Sequence, residues 1–384
     1  MRTRMMRMTA FCLMLCMLLA FGCAAAGGET TVESIQKYGN LVLSVSGSDF
    51  LRQGYTYGDI VTVQLNGVAY DMPVGTSYSD VDEGGMICRV LLDPETGEDC
   101  VILAVNMGDL AAQTGIASKI KTEEEPGYRW EMLVSQPVQV SFSLKEAGGY
   151  LSEYLLRRLV RTNERGDYPG LTDEQFANFR RVATTGMGEG VLYRSSSPVN
   201  PELGRNAYAD QALEKAGVRT VVNLADSEAE MLSYAGFVQS AYARCDVIPL
   251  ALGVDFMAED FKAGLAEGLR FLLQREGPYL VHCTEGKDRA GFVSALLECF
   301  MGASAQEVAA DYMTTYIQYY GVEAGSEQYD VIAQKNIVHT LQSAFEVENL
   351  AEADLAAEAE AYLLNELELT AEEIAQLREC LSGK

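Results

Sequence analysis

In the segment His282-Cys283-Thr284-Glu285-Gly286-Lys287-Asp288-Arg289-Ala290-Gly291, a thiol at Cys283 stands six residues before a guanidinium at Arg289. A thiolate is a strong nucleophile once its charge is stabilised. A guanidinium is a planar fork that suits two oxygens of a phosphoryl group. Tyr279, Leu280 and Val281 precede the segment as an apolar strand, and Phe292, Val293, Leu296, Leu297 and Phe300 follow it at helical spacing. A strand, a tight loop and a helix in that order aim the loop amides and the helix N-terminus at one point, which is an anion site. Nucleophile, oxyanion cradle and guanidinium together describe covalent phosphoryl transfer onto sulfur.

The rest of the chain sets limits on that chemistry. It has 384 residues, enough for two domains, with 48% hydrophobic and 22% charged residues, as in soluble globular proteins. Its formal net charge of -26 excludes general affinity for nucleic acid or for an anionic membrane surface. A phosphorylated substrate must therefore be attracted by a local basic site, and Lys287 and Arg289 supply one. Of the nine cysteines none forms a CxxC pair, and the only histidines are His282 and His339, so no metal site is expected. A bridge between Cys88 and Cys100 across a hairpin is conceivable, but the inferred registry does not set them opposite each other.

Arg2, Arg4 and Arg7, then the apolar stretch from Ala10 to Phe21, read as a signal segment too short to span a bilayer. Leu18-Leu19-Ala20-Phe21-Gly22-Cys23 resembles a bacterial lipobox, which implies lipidation at Cys23 and an extracytoplasmic, membrane-anchored lipoprotein; plain secretion is the alternative. Residues 1–22 are then the signal peptide and 23–30 a tether.

Residues 31–145 read as a small all-β domain. Strands are expected at Leu41–Val45, Ile60–Leu65, Val68–Val74, Met86–Leu92, Cys100–Val105 and Pro137–Leu144, with a hairpin signal at Asn66-Gly67 and a turn at residues 93–97. This spacing implies a barrel or sandwich. Tyr38-Gly39-Asn40-Leu41-Val42, Gly58-Asp59 and Ala104-Val105-Asn106-Met107-Gly108 resemble the C-terminal β-barrel domain of the SAM-hydroxide adenosyltransferases. The resemblance supports a barrel and carries no active residue over; a structural or docking module is the simpler role. From Glu146 strands and helices alternate, which implies a mostly parallel sheet flanked by helices, hence an α/β class, with functional loops at the strands' carboxyl ends. Capping boxes start helices at Thr172 and Ser304. Residues 146–384 are taken as one domain with a helical C-terminal tail. Tyr312, Tyr316, Tyr319 and Tyr320 share a helix side, either as a packed face or as lining of the substrate cleft.

The segment His282–Gly291 resembles the signature loop of the bacterial cysteine-dependent protein tyrosine phosphatases, above all the group whose loop carries Gly-Lys-Asp-Arg. Gly190-Val191-Leu192-Tyr193-Arg194-Ser195-Ser196 and Val218-Arg219-Thr220-Val221-Val222-Asn223-Leu224 resemble early strands of that group, and the likeness covers residues 170–345. It implies a tyrosine-phosphatase-like sheet and a phosphocysteine intermediate on Cys283, without cofactor. Arg289 and the amides of Thr284, Glu285, Gly286, Lys287 and their neighbours through Ala290 and Gly291 would hold the phosphate, with Arg194 at a neighbouring strand end. His282 would orient the loop and favour the thiolate. The general acid would be Asp288, with Asp226, Asp246 and Asp255 as rivals. Asp288 reads equally as an ion-pair or helix N-terminal charge, and Asp226 as the cap of a helix over Ser227–Ser233.

Two positions depart from the family. Ala290 replaces a Thr or Ser whose hydroxyl helps the thiolate leave, and Glu285 puts a carboxylate where many relatives have Ala. Glu285 either repels very anionic substrates or engages a basic partner; Lys287 pulls the other way, since such a lysine also occurs in phosphoinositide phosphatases. The expected function is phosphomonoester hydrolysis, with a phosphotyrosine protein as substrate. The alternatives are a phosphorylated small molecule or lipid (phosphoinositide or inositol phosphate), or a surface binding protein on an inactive phosphatase scaffold.

Overall fold

The computed structural model describes residues 28–123 and 126–383. The expected signal peptide and Cys23 lie outside the described residues. The chain divides into two compact units between Tyr154 and Leu155, a few residues beyond the boundary expected at 145/146.

The first unit is a closed seven-stranded barrel. Its strands are β1 (Glu29–Ile35), β2 (Leu41–Leu43), β3 (Ile60–Leu65), β4 (Val68–Gly75), β5 (Met86–Asp93), β6 (Glu98–Val105) and β9 (Gln139–Glu146), in the order β1-β2-β6-β5-β4-β3-β9. Alternation builds it: Val61, Val63 and Leu65 of β3 face inward between more exposed neighbours. Asn66 and Gly67 both adopt left-handed backbone (φ 51° and 79°), as a two-residue hairpin requires. Strand β1 closes the barrel between β2 and β9 and draws Glu29 and Thr30 out of the segment read as a tether, pairing them with Ser141 and Val140. The unit also holds α1 (Gly47–Arg52), α2 (Leu110–Gln113) and a separate hairpin, β7 (Ala117–Lys121) with β8 (Tyr128–Met132). In the β5–β6 ladder Cys88 lies opposite Leu103 and Cys100 opposite Leu91. That odd offset sends the two thiols to opposite faces, and both are free.

A short helix, α3 (Leu151–Leu156), crosses the division. The second unit has a five-stranded sheet of β10 (Arg180–Arg181), β11 (Leu192–Ser195), β12 (Thr220–Asn223), β13 (Asp246–Pro249) and β14 (Tyr279–His282), ordered β10-β11-β14-β12-β13. Only β10 runs antiparallel. Neighbouring residues feed opposite cores. Val222 and Val281 pack with α7 (Glu259–Leu273) and α8 (Arg289–Met301), whereas Val221 and Leu280 pack with α5 (Asn206–Ala216). The sheet is thus covered on both faces, as its apolar strands require. The remaining helices are α4 (Asp173–Phe176), α6 (Glu228–Ser233), α9 (Ala305–Tyr320), α10 (Glu327–Ala333), α11 (His339–Phe345), α12 (Leu355–Asn365) and α13 (Ala371–Ser382). A π-helical stretch, Gln334–Val338, joins α10 to α11. Reciprocal capping boxes start α4 at Thr172 and α9 at Ser304.

Candidate active site

Strand β14 ends at His282, and α8 begins at Arg289, so Cys283 to Asp288 make the turn between them. Cys283 is buried at the foot of this loop, 2% exposed. What shapes the loop is the fate of its carbonyls. Ser197 N–H donates to Thr284 O (3.1 Å), and Asn178 Nδ2 donates to Glu285 O (3.3 Å) and Gly286 O (3.1 Å). Arg194 Nη2 donates to Gly286 O (2.9 Å) and Lys287 O (3.3 Å). Four successive carbonyls are therefore drawn outward. In a trans peptide the following N–H points the opposite way, so the amides of Glu285, Gly286, Lys287 and Asp288 turn toward the cradle. Gly286 has φ 72°, and a Cβ there would lie 2.4 Å from the Ser195 carbonyl, so no side chain fits.

Arg194 stands at the carboxyl end of β11, the strand end where the sequence reading put it, but it does not face the phosphate site. It is 1% exposed and lies behind the loop, with Nη1 on Asp311 Oδ2 at 2.6 Å and Nη2 on the loop carbonyls. Its guanidinium has no free fork for a phosphate. Asp311, on α9, also receives Arg180 Nε at 2.9 Å. Burial works against its charge, but Arg180 and Arg194 outweigh burial and hold its carboxyl at about 2. Neighbouring Glu298, 1% exposed, is pushed well above the ordinary carboxylate range by burial and by Asp311. The Arg180 and Arg194 guanidiniums both close on Asp311, so the brace under the loop is held by buried ion pairs. Asn178 completes the brace: its Oδ1 accepts from Arg180 Nη1 and from Thr315 Oγ1. Asn178 and Ser197 were missed in the sequence, where nothing local marks them.

Arg289 spans the strand ends. Its Nη1 donates to Leu252 O (2.8 Å) and Leu224 O (3.4 Å), and its Nη2 to Thr284 Oγ1 (3.3 Å). His282 is fully buried; burial, aided by Arg289, pushes its pKa down to about 4 although Asp226 opposes this. A carbonyl can only accept, so His282 Nδ1 carries the proton and donates to Cys283 O (3.3 Å). Its Nε2 then accepts from the Tyr242 hydroxyl (2.9 Å). The imidazole acts on the loop as a neutral dipole that fixes the Cys283 peptide.

The four carboxylates part company. Asp288 is half-exposed, and its side chain makes no capping bond at the start of α8. Although half of its side chain is exposed, the atoms packed around its carboxyl, with Glu285 nearby, outweigh Lys287 and Arg289 and hold its pKa above the usual value. Asp226 is 4% exposed, with Oδ2 receiving Asn223 Nδ2 (3.0 Å) and Oδ1 the Tyr234 hydroxyl (2.6 Å). It does not cap α6; Ser227 does, in a box with Glu230. Asp246 opens β13 and so stands at the amino end of the sheet, away from the loop, 4.0 Å from Arg275. Asp255 is exposed on the segment after β13, and its Oδ1 accepts from Met257 N–H.

Glu285 is engaged by Arg161 and Tyr320, each at 2.8 Å, and faces Lys287. Tyr312, Tyr316 and Tyr319 are buried, so the tyrosine stripe is mainly a packed face, while the Tyr316 and Tyr320 rings flank the Lys287 ammonium. A Cβ on Gly291 would meet the Tyr312 ring at 2.6 Å, so that glycine lets α9 approach α8. Ala290 is buried and brings no hydroxyl to the loop. Among the described residues, no group of His, Cys, Asp and Glu could hold a metal ion.

The sequence model of the tyrosine phosphatase family matches residues 174–383, more than half the chain and the whole loop with its brace, though not Arg161. The chain belongs to the tyrosine phosphatase family. Solved structures similar to this family member include P. aeruginosa TpbA, 21% identical over 44% of this chain and 90% of that one, with a TM-score of 0.28. The core catalytic domain of the PP-IP phosphatase SIW14 of S. cerevisiae is 18% identical over 43% and 91%, with a TM-score of 0.26. An uncharacterized conserved protein of Thermotoga maritima is 17% identical over 30% of this chain, with a TM-score of 0.23, and the chain spans 36% of its length. No curated protein sequence matches.

Proposed function

We propose that this tyrosine phosphatase family member hydrolyses phosphomonoesters through a phosphocysteine intermediate, with phosphotyrosine in proteins as its substrate. The observation that carries the reading is the outward bracing of four loop carbonyls around Cys283 and Arg289. In the first step the Cys283 sulfur forms a bond to phosphorus as the ester P–O bond breaks, and Asp288 passes its proton to the leaving oxygen. In the second, water attacks phosphorus, its proton returns to Asp288, and the S–P bond breaks to release phosphate. The loop amides and Arg289 hold the phosphoryl oxygens in both steps. The absence of a hydroxyl at residue 290 slows the second step, in which the thiolate leaves. The arginines, apolar stretch and Cys23 of the N-terminus support an extracytoplasmic lipoprotein, which mass spectrometry of the mature N-terminus would test.

The test is turnover of a phosphotyrosine peptide against inositol phosphates by the purified protein and by Cys283→Ser. The peptide should be preferred, and Cys283→Ser should lose more than about a thousandfold. Preference for the inositol phosphates would replace the substrate assignment. Phosphate binding at Cys283 without turnover of any ester would leave a binding protein.

A further inference from the structure

Beside the cradle, two cations share one carboxylate. Glu285 Oε1 receives Arg161 Nε at 2.8 Å and the Tyr320 hydroxyl at 2.8 Å, and Glu285 Oε2 lies 3.4 Å from Lys287 Nζ. Lys287 also donates to the Tyr320 hydroxyl at 3.3 Å and lies 3.8 Å from Asp288 Oδ2. The side chains of Arg161, Glu285 and Lys287 are 22%, 16% and 18% exposed. At that burial, charge is weakly screened, unlike in a surface pair. The cluster still keeps an edge in water, so an incoming group would sense it.

A single phosphoryl group has no need of this cluster, because Arg289 and the loop amides complete its shell. A second phosphoryl group on the same substrate would meet it. Without Glu285 that group would meet the Arg161 guanidinium, and Lys287 would keep its longer approach to Asp288; with Glu285 it must approach a carboxylate already engaged with both cations. Burial works against the Glu285 charge, but Lys287, the Tyr320 hydroxyl and Arg161 outweigh it and keep the carboxyl below its usual range, so the charge is present at neutral pH.

We propose that Glu285 is a specificity-determining residue: by occupying Arg161 and Lys287 it confines the site to substrates with one phosphoryl group and disfavours those with a second one close by. This rests on the phosphatase reading, since it concerns what the cradle accepts.

Binding is measured by calorimetry in the Cys283→Ser background, where ligand is not consumed. The probes are myo-inositol 4-phosphate and myo-inositol 4,5-bisphosphate, which share a scaffold and differ in one phosphate on the adjacent carbon. With Glu285 present the bisphosphate should bind no better than the monophosphate, within about twofold. In Glu285→Gln, which keeps a polar contact for Tyr320 but removes the charge, the bisphosphate-to-monophosphate affinity ratio should rise on the order of tenfold, the effect of removing one like charge from a partly buried site. Glu285→Ala should raise the ratio in the same direction, which covers any misfolding of the glutamine variant. An unchanged ratio in both variants, or a tenfold bisphosphate preference already present with Glu285, overturns the proposal. Turnover of phosphotyrosine peptide by the protein with Cys283 intact is scored separately. Its absence would defeat the phosphatase reading and leave the affinity ratio to decide the role of Glu285.

Discussion

The barrel and the sheet unit handle buried polarity in opposite ways. Among the described residues the barrel buries Asn40, Asp59 and Asp80, and each serves a nearby loop or turn. Asp80, for example, accepts from the backbone of Thr76 and Ser77. The sheet unit buries thirteen such residues, among them Asn178, Arg194, Ser197, Asp226, His282 and Glu298. Burying a polar group short of partners costs about 1–3 kcal/mol, so a core accumulates them only where something else requires it. Here the requirement is geometric. The Asn178 and Arg194 side chains, with the backbone N–H of Ser197, turn a row of carbonyls outward, and through them a row of amides inward. The barrel core stabilises a shape; the sheet core stabilises a shape and a direction of dipoles.

That contrast is sharpest at the group proposed to move protons. Asp288→Asn should lower kcat/KM for phosphotyrosine peptide about a hundredfold. The protonated carboxyl is the active form and its pKa is raised, so it supplies a limb of the pH–activity profile on which activity falls as pH rises through that pKa. The variant should lack this limb, and its deficit should shrink with an aryl phosphate whose leaving group is more acidic. If Asp255→Asn removes the limb and Asp288→Asn does not, the acid comes from the segment after β13. Arg194→Lys probes the brace itself. A lysine cannot serve Asp311 and two carbonyls at once, so kcat should fall on the order of thirtyfold through misplacement of the cradle. Affinity for orthovanadate should fall in parallel. Loss of thermal stability with vanadate affinity intact would make Arg194 an ordinary core residue and erase the contrast.

What could be foreseen in the sequence follows the range over which each feature is encoded. Strands β3 to β6 were legible because alternation and the Asn66-Gly67 turn are local signals. Strand β1 was not, since Glu29–Ile35 carries only Val32 and Ile35 as apolar markers, and its first half is defined by β9, more than a hundred residues away. The loop itself was legible from the spacing of Cys283 and Arg289. The brace was not: Asn178 meets Gly286 across 108 positions and Arg194 across 92, and no local pattern says which carbonyl a side chain will find. Asp226 shows competition between neighbours. Ser227 with Glu230 makes a complete capping box one residue later, which frees Asp226 to turn inward to Asn223 and Tyr234.

Two buried cysteines give the smallest and cleanest form of the comparison. Cys88 lies in the barrel wall between Val74 and Leu103, fully buried, and burial pushes its thiol pKa far up, so it is inert filler. Cys283 is equally hidden from solvent but sits among amides aimed inward by the brace. Cys88→Ala should lower stability by about 1–2 kcal/mol, read as a fall in melting temperature, because a small cavity opens in a closed core. It should leave kcat/KM for phosphotyrosine peptide unchanged, whereas Cys283→Ser should do the reverse. A Cys88 variant that keeps its melting temperature and loses turnover would mean that burial alone does not separate the two thiols, and that the barrel takes part in the chemistry.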